Sequence, residues 1–150
     1  MFWYNFNKIY LKFTIFFFWK ISSNIYGELL SPFIAHICQR LNINSNTTFV
    51  DLGSGVGNIV YQMAFATGCK AYGIEQMNRP AQLADAQLEE GKKRANLFGL
   101  SLGHAECQQG DMCESQWLYS ILPNADVILV NNCKLTISIH YIINQANLQF

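Results

Sequence analysis

Apolar and polar positions in the middle of the chain follow two periods, one typical of strands and one typical of helices. Four short runs bounded by turn residues predict strands. In chain order they are TTFVDL from Thr47, KAYGIE from Lys70, AECQQ from Ala105 and ADVILV from Ala125. Because helical spacing separates these runs, the chain is predicted to alternate strands with helices. That order is typical of an α/β fold with a doubly wound parallel sheet.

The segments between the strands have apolar residues three or four positions apart, as helices do. The pair SP is typical of an N-cap and a first helical position, so a helix is predicted from about Ser31 to Leu41. NIVYQMAFATG predicts a second helix, closed by Gly68. SQWLYSIL fits a short helical turn. A long helix should begin near Pro80 and end at Gly99, with one side formed by Ala84, Leu88, Ala95 and Phe98.

Length and composition limit the class of protein. With 150 residues, 51% of them hydrophobic and 13% charged, the chain has the size of one domain and can bury a substantial core. Ten basic and ten acidic residues give a formal net charge of zero, which gives no support for nucleic-acid binding. The five cysteines are odd in number and include no C-x-x-C pair, which argues against a disulfide framework and a zinc knuckle. No metal is expected.

The two ends of the chain differ in composition from the middle. Residues 1–25 contain six of the eleven phenylalanines and are rich in isoleucine and asparagine. Residues 133–150 are rich in the same two residues, isoleucine and asparagine. One hypothesis is that both ends are translated non-coding sequence, which would leave residues 26–132 as the domain. The apolar run from Ile9 to Ile21 is shorter than the roughly 20 residues of a membrane span and contains lysines, so no span is expected.

The stretch FVDLGSGVGN, Phe49 to Asn58, places a glycine-rich loop directly after a predicted strand. At that place in a parallel sheet, such a loop lets a ligand approach the start of the next helix. A phosphate loop would need Lys and then Ser or Thr after its last glycine, and the dinucleotide fingerprint would need glycine in place of Asn58. Asp51 would repel a pyrophosphate but attract a cation. S-adenosylmethionine, which has an ammonium, a sulfonium and no phosphate, fits such a loop.

Two further acids follow the next two predicted strands. Glu75 ends KAYGIE, where a carboxylate can accept hydrogen bonds from both hydroxyls of a ribose. Asp111 comes after AECQQ and is placed to reach the amino group of an adenine. The three histidines have no partner at ligand or triad spacing, and the basic run at residues 92–94 is predicted to be a solvated helix face.

Five short motifs resemble, in order and spacing, the disruptor-of-telomeric-silencing family of histone methyltransferases. They are YGELL at Tyr26, FVDLGSGVGN, YGIE at Tyr72, GD at Gly110 and VNN at Val130, and the resemblance ends at Asn132. It implies a Rossmann-like, seven-strand S-adenosylmethionine-dependent methyltransferase fold, truncated after about strand four or five. It also implies a non-SET enzyme of the nucleus that methylates a lysine in the globular core of histone H3 on nucleosomes.

The resemblance further implies a role for each residue of the motifs. Asn131 is the implied catalytic residue, because its amide would orient the incoming amine. Glu75 would hold the ribose, and Asp111 and Met112 would flank the adenine, although the family commonly has an aromatic residue at the place of Met112. The remaining cofactor-binding residues are a covering loop, Tyr26, Gly27, Glu28 and Leu29, and a cradle for the methionine part, Phe49, Val50, Asp51, Leu52, Gly53, Ser54, Gly55, Val56, Gly57 and Asn58.

After Asn132 the chain departs from the family, which continues with a phenylalanine-containing loop, further strands and an aromatic lysine channel. In the class order 3-2-1-4-5-7-6, a chain that ends after strand four leaves the edge of that strand open, unless a tail strand from Leu135 to Ile143 covers it. Three functions stay open. The chain could be an incomplete, weakly active or inactive histone methyltransferase, a cofactor-binding protein without catalysis, or a methyltransferase for another acceptor.

Overall fold

The computed structural model describes residues 14–17 and 31–130, the former by their strand pairing alone. The predicted strands and helices of the middle of the chain are confirmed, with small changes at their ends. In chain order the elements are β1 (Thr14–Phe17), α1 (Ser31–Arg40), β2 (Thr48–Leu52), α2 (Asn58–Thr67), β3 (Lys70–Glu75), α3 (Asn78–Leu97), β4 (Ala105–Gln109), α4 (Gln116–Ile121), a 3-10 turn (Leu122–Asn124) and β5 (Val127–Val130).

All five strands form one parallel sheet in the order β1-β5-β2-β3-β4. β2 lies at its centre, with Asp51 opposite Gly73 of β3 on one side and opposite Leu129 of β5 on the other. Taken from β4, the order β4-β3-β2-β5 is the 3-2-1-4 part of the seven-strand order that the resemblance implies. The carboxyl ends of β2, β3 and β4 therefore meet at one edge of the sheet.

The outer edge of β5 is not open, so that expectation was wrong. β1 pairs with β5 in parallel along its whole length, from Thr14 opposite Val127 to Phe17 opposite Val130. The sequence TIFF consists of β-branched and aromatic residues that favour strands, and its pairing satisfies the backbone groups of an otherwise free edge. The strand predicted for residues 135–143 lies outside the described residues.

Helices cover both faces of the sheet, and each face has its own core. Because successive residues of a strand point to opposite faces, Phe49 of β2 packs with Ile34 and Val60 under α1, α2 and α3, while Val50 packs with Leu118 under α4. β5 is buried at all four positions, as expected for a strand of a parallel sheet covered on both sides. No helix in the described part of the chain is long and apolar enough to cross a membrane.

The long helix α3 differs from its prediction at one position. Ala84, Leu88 and Ala95 are buried as expected, but Phe98 is 77% exposed. The helix ends at Leu97, Phe98 is its C-cap, and the chain then turns away because Gly99 has a φ of 65°. Helical spacing predicted Phe98 on the buried side of the helix, but the helix ends one residue earlier, so the spacing no longer applies to Phe98.

Candidate functional site

The loop between β2 and α2 folds back over the end of the neighbouring strand β3. The N–H groups of Gly53 and Ser54 both donate to the carbonyl of Ile74, at 2.9 and 3.0 Å. Gly53, Gly55 and Gly57 have φ values of 85°, 56° and 79°, a region that residues with a Cβ rarely adopt. Three residues with positive φ within five positions explain why the loop needs its glycines.

Gly57 is also required by a close contact at the start of α2. A Cβ there would lie 2.9 Å from the ring and hydroxyl of Tyr61 and 3.1 Å from Sγ of Cys107. The hydroxyl of Tyr61 donates in turn to the carbonyl of Ala84 on α3. The loop is therefore packed directly against α2, α3 and β4, which fixes where α2 begins.

Asp51 lies beneath this loop and is 1% exposed. Its Oδ1 atom and the Oγ atom of Ser54 are buried without a hydrogen-bond partner among the residues that the structure describes. Ser54 reaches this position because β3 has a glycine opposite: a Cβ at Gly73 would lie 2.7 Å from the Ser54 side chain. Two polar atoms below the glycine loop thus have no partner within residues 31–130, an arrangement that suits a polar ligand group.

The electrostatic surroundings of Asp51 disfavour its ionised form. Burial, followed by the negative charge of Glu75, raises the pKa of the Asp51 carboxyl to about 7. Burial, together with the charges of Asp51 and Asp85, raises the pKa of the Cys107 thiol to about 12. Burial and the neighbouring Cys107 also raise the pKa of Tyr61. The region below the loop is therefore suited to accept a positive charge.

Glu75, at the end of β3, is held by two backbone groups. Its Oε2 atom accepts a hydrogen bond from the N–H of Gly55 at 2.9 Å, and its Oε1 atom accepts one from the N–H of Met77 at 2.8 Å. Each carboxylate oxygen retains further acceptor capacity. The half-buried Glu75 therefore fixes the glycine loop and still presents oxygens that could accept ribose hydroxyls.

Asp111 lies next to Glu75 along the same edge of the sheet. The N–H of Gly110 donates to the backbone carbonyl of Glu75 at 2.9 Å, which brings the two acids together. Asp111 Oδ1 accepts from the N–H of Cys113 at 2.8 Å and Oδ2 accepts from the Gln76 amide at 3.1 Å. Both oxygens are thus oriented by the protein rather than free in solvent.

The structure brings most of the predicted cofactor residues together. Asp51, the loop and the acids Glu75 and Asp111 lie at the carboxyl ends of β2, β3 and β4. Cradle residues whose side chains pack in the core can contact a ligand only through their backbone. The side chain of Met112 is also buried, with 8% of it exposed. The predicted contacts of these residues with a cofactor stay predictions. The packed cradle side chains are Phe49, Val50 and Leu52, whereas Val56 is half-buried and Asn58 is exposed at the start of α2.

The covering loop, residues 26–29, and Asn131 lie outside the described residues, so their predicted roles also stay predictions. The sequence interpretation missed Tyr61, Gly73 and Cys107, which pack under the loop. An isolated glycine in a strand often marks a close approach of another segment, so Gly73 carried a usable signal. For Tyr61 and Cys107 the sequence offered none, because their contact depends on how α2 crosses β4.

The remaining candidate residues show ordinary surface chemistry. The basic run at residues 92–94 is exposed, with Lys92 3.7 Å from Glu89 and Arg94 2.8 Å from Glu90, so the solvated helix face is confirmed. Both ion pairs are exposed to solvent, and exposed pairs of this kind contribute little to stability. Among the described residues, no group of three or more His, Cys, Asp or Glu could hold a metal ion.

Comparisons with known proteins agree with this arrangement. The family model described as histone methylation protein DOT1 matches residues 16–149, a range that extends beyond residues 26–132 at both ends. A relative from Chaetomium globosum, named "Histone-lysine N-methyltransferase, H3 lysine-79 specific", is 43% identical over 115 residues, which is 77% of this chain and 22% of that protein. A relative of the same name from Mycosarcoma maydis is 46% identical over 112 residues, 74% of this chain and 14% of that one.

Among solved structures, an RNA methyltransferase from Salinibacter ruber in complex with S-adenosyl-L-homocysteine has a similar fold. The TM-score is 0.58 at 23% sequence identity, over 78% of this chain and 69% of that chain. The likeness confirms the predicted class of fold, a Rossmann-like methyltransferase sheet. The chain spans about a fifth of the length of the Chaetomium relative.

Proposed function

Because this chain belongs to the family of the histone methylation protein DOT1, we propose that it is the cofactor-binding part of a histone-lysine N-methyltransferase. The methyl donor is S-adenosylmethionine, and the acceptor is the lysine in the globular core of histone H3 on nucleosomes. The relatives are named for H3 lysine 79, which supports this acceptor. The protein acts in the nucleus as a chromatin regulator in telomeric silencing.

The observation that carries the proposal is the buried Asp51 oxygen, which has no hydrogen-bond partner within residues 31–130 and lies beneath a glycine loop with positive φ angles. A phosphate at this place would meet a carboxylate, and the glycine loop itself contains no lysine, whereas the ammonium group of S-adenosylmethionine would supply a partner for Asp51. Glu75 would accept the ribose hydroxyls, and Asp111 would accept the adenine amino group. When bound, this cofactor supplies an electrophilic methyl group on a sulfonium.

The chain's own residues contribute alignment and the exclusion of water. Methyl transfer from a sulfonium to an amine is an in-line displacement, so the protein must hold donor and acceptor in line and keep the amine neutral. In the proposal the glycine loop and Glu75 hold the donor, Tyr26 to Leu29 cover it, and Asn131 orients the amine.

Calorimetry with S-adenosylhomocysteine tests the cofactor part of the proposal on the chain itself. We expect binding that is weakened at least about tenfold by Glu75→Ala, because two hydrogen bonds to a carboxylate are lost. The control is Glu89→Ala, which removes an exposed acid from α3 that pairs only loosely with Lys92 and should bind as the parent does. Equal affinity of the parent and Glu75→Ala would contradict the proposed site, and no binding by the parent would contradict the proposed cofactor.

A chimera tests the acceptor. Residues 26–132 replace the matching segment of the Chaetomium globosum relative, and methyl transfer is measured on reconstituted nucleosomes and on free histone tails. We expect transfer to nucleosomes, none to the tails, and loss of transfer with Glu75→Ala. A chimera that binds S-adenosylhomocysteine but methylates neither substrate would favour a cofactor-binding protein without catalysis, and methylation of another acceptor only would favour the third alternative.

A further inference from the structure

Among residues 31–130, the groups that surround Asp51 carry negative charge or none. From β3 it faces Glu75, and from β4 it faces the Cys107 thiol. Tyr61 of α2 and Asp85 of α3 lie beyond Cys107 and interact with it. α2 contains no charged residue and neither does β5. Within residues 31–130, none of the ion pairs involves Asp51.

An ionised Asp51 would therefore be a buried charge without a counter-charge among residues 31–130. The side chain is 1% exposed and its Oδ1 has no hydrogen-bond partner in the described region. Burial of an unpaired carboxylate is costly, and such a group avoids the cost by keeping its proton. The raised pKa of about 7 has the same two causes, burial and the neighbouring Glu75.

We propose that Asp51 is protonated in the ligand-free protein and releases its proton to solvent when the ammonium group of a ligand docks under the glycine loop. The inference rests on the proposed function, because it takes the methionine end of S-adenosylmethionine as the source of that ammonium. Only one O–H bond breaks: the proton goes to the buffer, and the carboxylate keeps the electron pair and pairs with the ammonium. Asp51 thereby makes selectivity for an ammonium-bearing nucleoside depend on pH.

The release has a measurable size. If only the ionised form of Asp51 binds the ammonium, affinity falls about tenfold for each pH unit below the pKa and is flat above it. For a pKa of about 7, S-adenosylhomocysteine should bind about tenfold more weakly near pH 6 than near pH 8. Close to one proton per ligand should be released near pH 6, and close to none near pH 8.

Calorimetry in buffers of different ionisation enthalpy measures both quantities on the whole chain. The matched ligand is 5′-methylthioadenosine, which keeps the adenine and ribose but lacks the ammonium and the carboxylate. Its binding should release no proton and should have the same affinity at both pH values. That result would assign the released proton to the ammonium end, and not to the acids Glu75 and Asp111 at the ribose and adenine. Asp51→Asn should bind S-adenosylhomocysteine with an affinity that no longer changes between the two pH values.

A carboxyl carbon NMR titration of the ligand-free chain tests the first half of the inference without a ligand or a variant. The Asp51 signal should titrate near neutral pH, far above the range of an ordinary aspartate. An Asp51 signal that titrates near pH 4, or S-adenosylhomocysteine binding that is equal at both pH values and releases no proton, would overturn the inference and leave the proposed function standing. Failure of both nucleosides to bind at either pH would instead overturn the proposed function, and the NMR titration would then decide the protonation alone.

Discussion

Replacing Asp51 by asparagine should make the ligand-free chain increasingly stable relative to the parent as pH rises toward 8. The asparagine amide has nearly the shape of the carboxyl group but cannot ionise. Asp51 is fully buried and its pKa is raised from 3.8 to about 7. Between these two pH values the folded parent therefore keeps a proton that the unfolded chain has already lost. A group whose pKa is higher in the folded state stabilises the fold at low pH and loses that contribution as pH rises.

The size of the effect follows from the interval between the two pKa values. Stabilisation by protonated Asp51 is complete below about pH 3.8 and is lost by about pH 7. At 1.36 kcal/mol per pH unit, the free energy of unfolding falls by about 4 kcal/mol over the whole interval. Between pH 5 and pH 8 the parent should lose roughly 3 kcal/mol relative to the asparagine variant.

Urea unfolding of the parent and of Asp51→Asn near pH 5 and near pH 8 measures this difference. Any constant cost of burying the amide cancels, because only the change between the two pH values is compared. Glu114→Gln, which removes an exposed carboxylate from the turn before α4, corrects for the general loss of one negative charge. If the stabilities of the parent and Asp51→Asn differ by the same amount at both pH values, the buried acid is not protonated and the reasoning fails.

Three further variants test the loop and a helix end. Gly57→Ala should destabilise the chain by about 1–3 kcal/mol more than Gly99→Ala in urea unfolding, because both glycines have positive φ but only Gly57 lacks room for a Cβ; equal losses would contradict the close contact. Glu75→Gln should speed hydrogen exchange at Gly55 roughly tenfold, since the amide keeps one acceptor oxygen for two N–H donors, and unchanged exchange would show that the carboxylate does not hold the loop. Ser115→Ala should cost about 1 kcal/mol in the same unfolding assay, because the N-cap of α4 is lost; no change would mean that this cap contributes nothing.

Sequence pattern predicted the elements of the middle of the chain because their signals are local. The end of α2 was marked by Gly68, which has a φ of 74° and caps the helix. The run VILV of β5 is apolar at every position, as a strand buried on both faces must be. Such signals depend on neighbours in sequence, so they survive without knowledge of the fold.

Pairing between distant segments could not be predicted in the same way. The pairing of Thr14 with Val127 joins residues from opposite ends of the chain. The sequence TIFF favours a strand but does not indicate which strand it pairs with. The hypothesis that residues 1–25 are translated non-coding sequence rested on composition, which carries no information about strand pairing, and it stays a hypothesis. For the candidate site, the order of the acids was visible in the sequence, whereas their hydrogen-bond partners were not.

The three acids of the site differ in a way that decides which of them responds to a ligand. Glu75 and Asp111 already accept hydrogen bonds from the protein through both oxygens, so each of their oxygens has a partner before a ligand arrives. Of the three acids, Asp51 alone has a buried oxygen without a partner among the residues that the structure describes. The unfavourable electrostatic energy of the ligand-free site is therefore concentrated in one residue. It follows that Asp51→Asn should gain stability over the parent as pH rises and should lower affinity for an ammonium-bearing ligand. Glu75→Gln should lower both stability and affinity, because its carboxylate already holds the loop. Opposite signs for two neighbouring acids would separate a residue reserved for the ligand from one that also supports the fold.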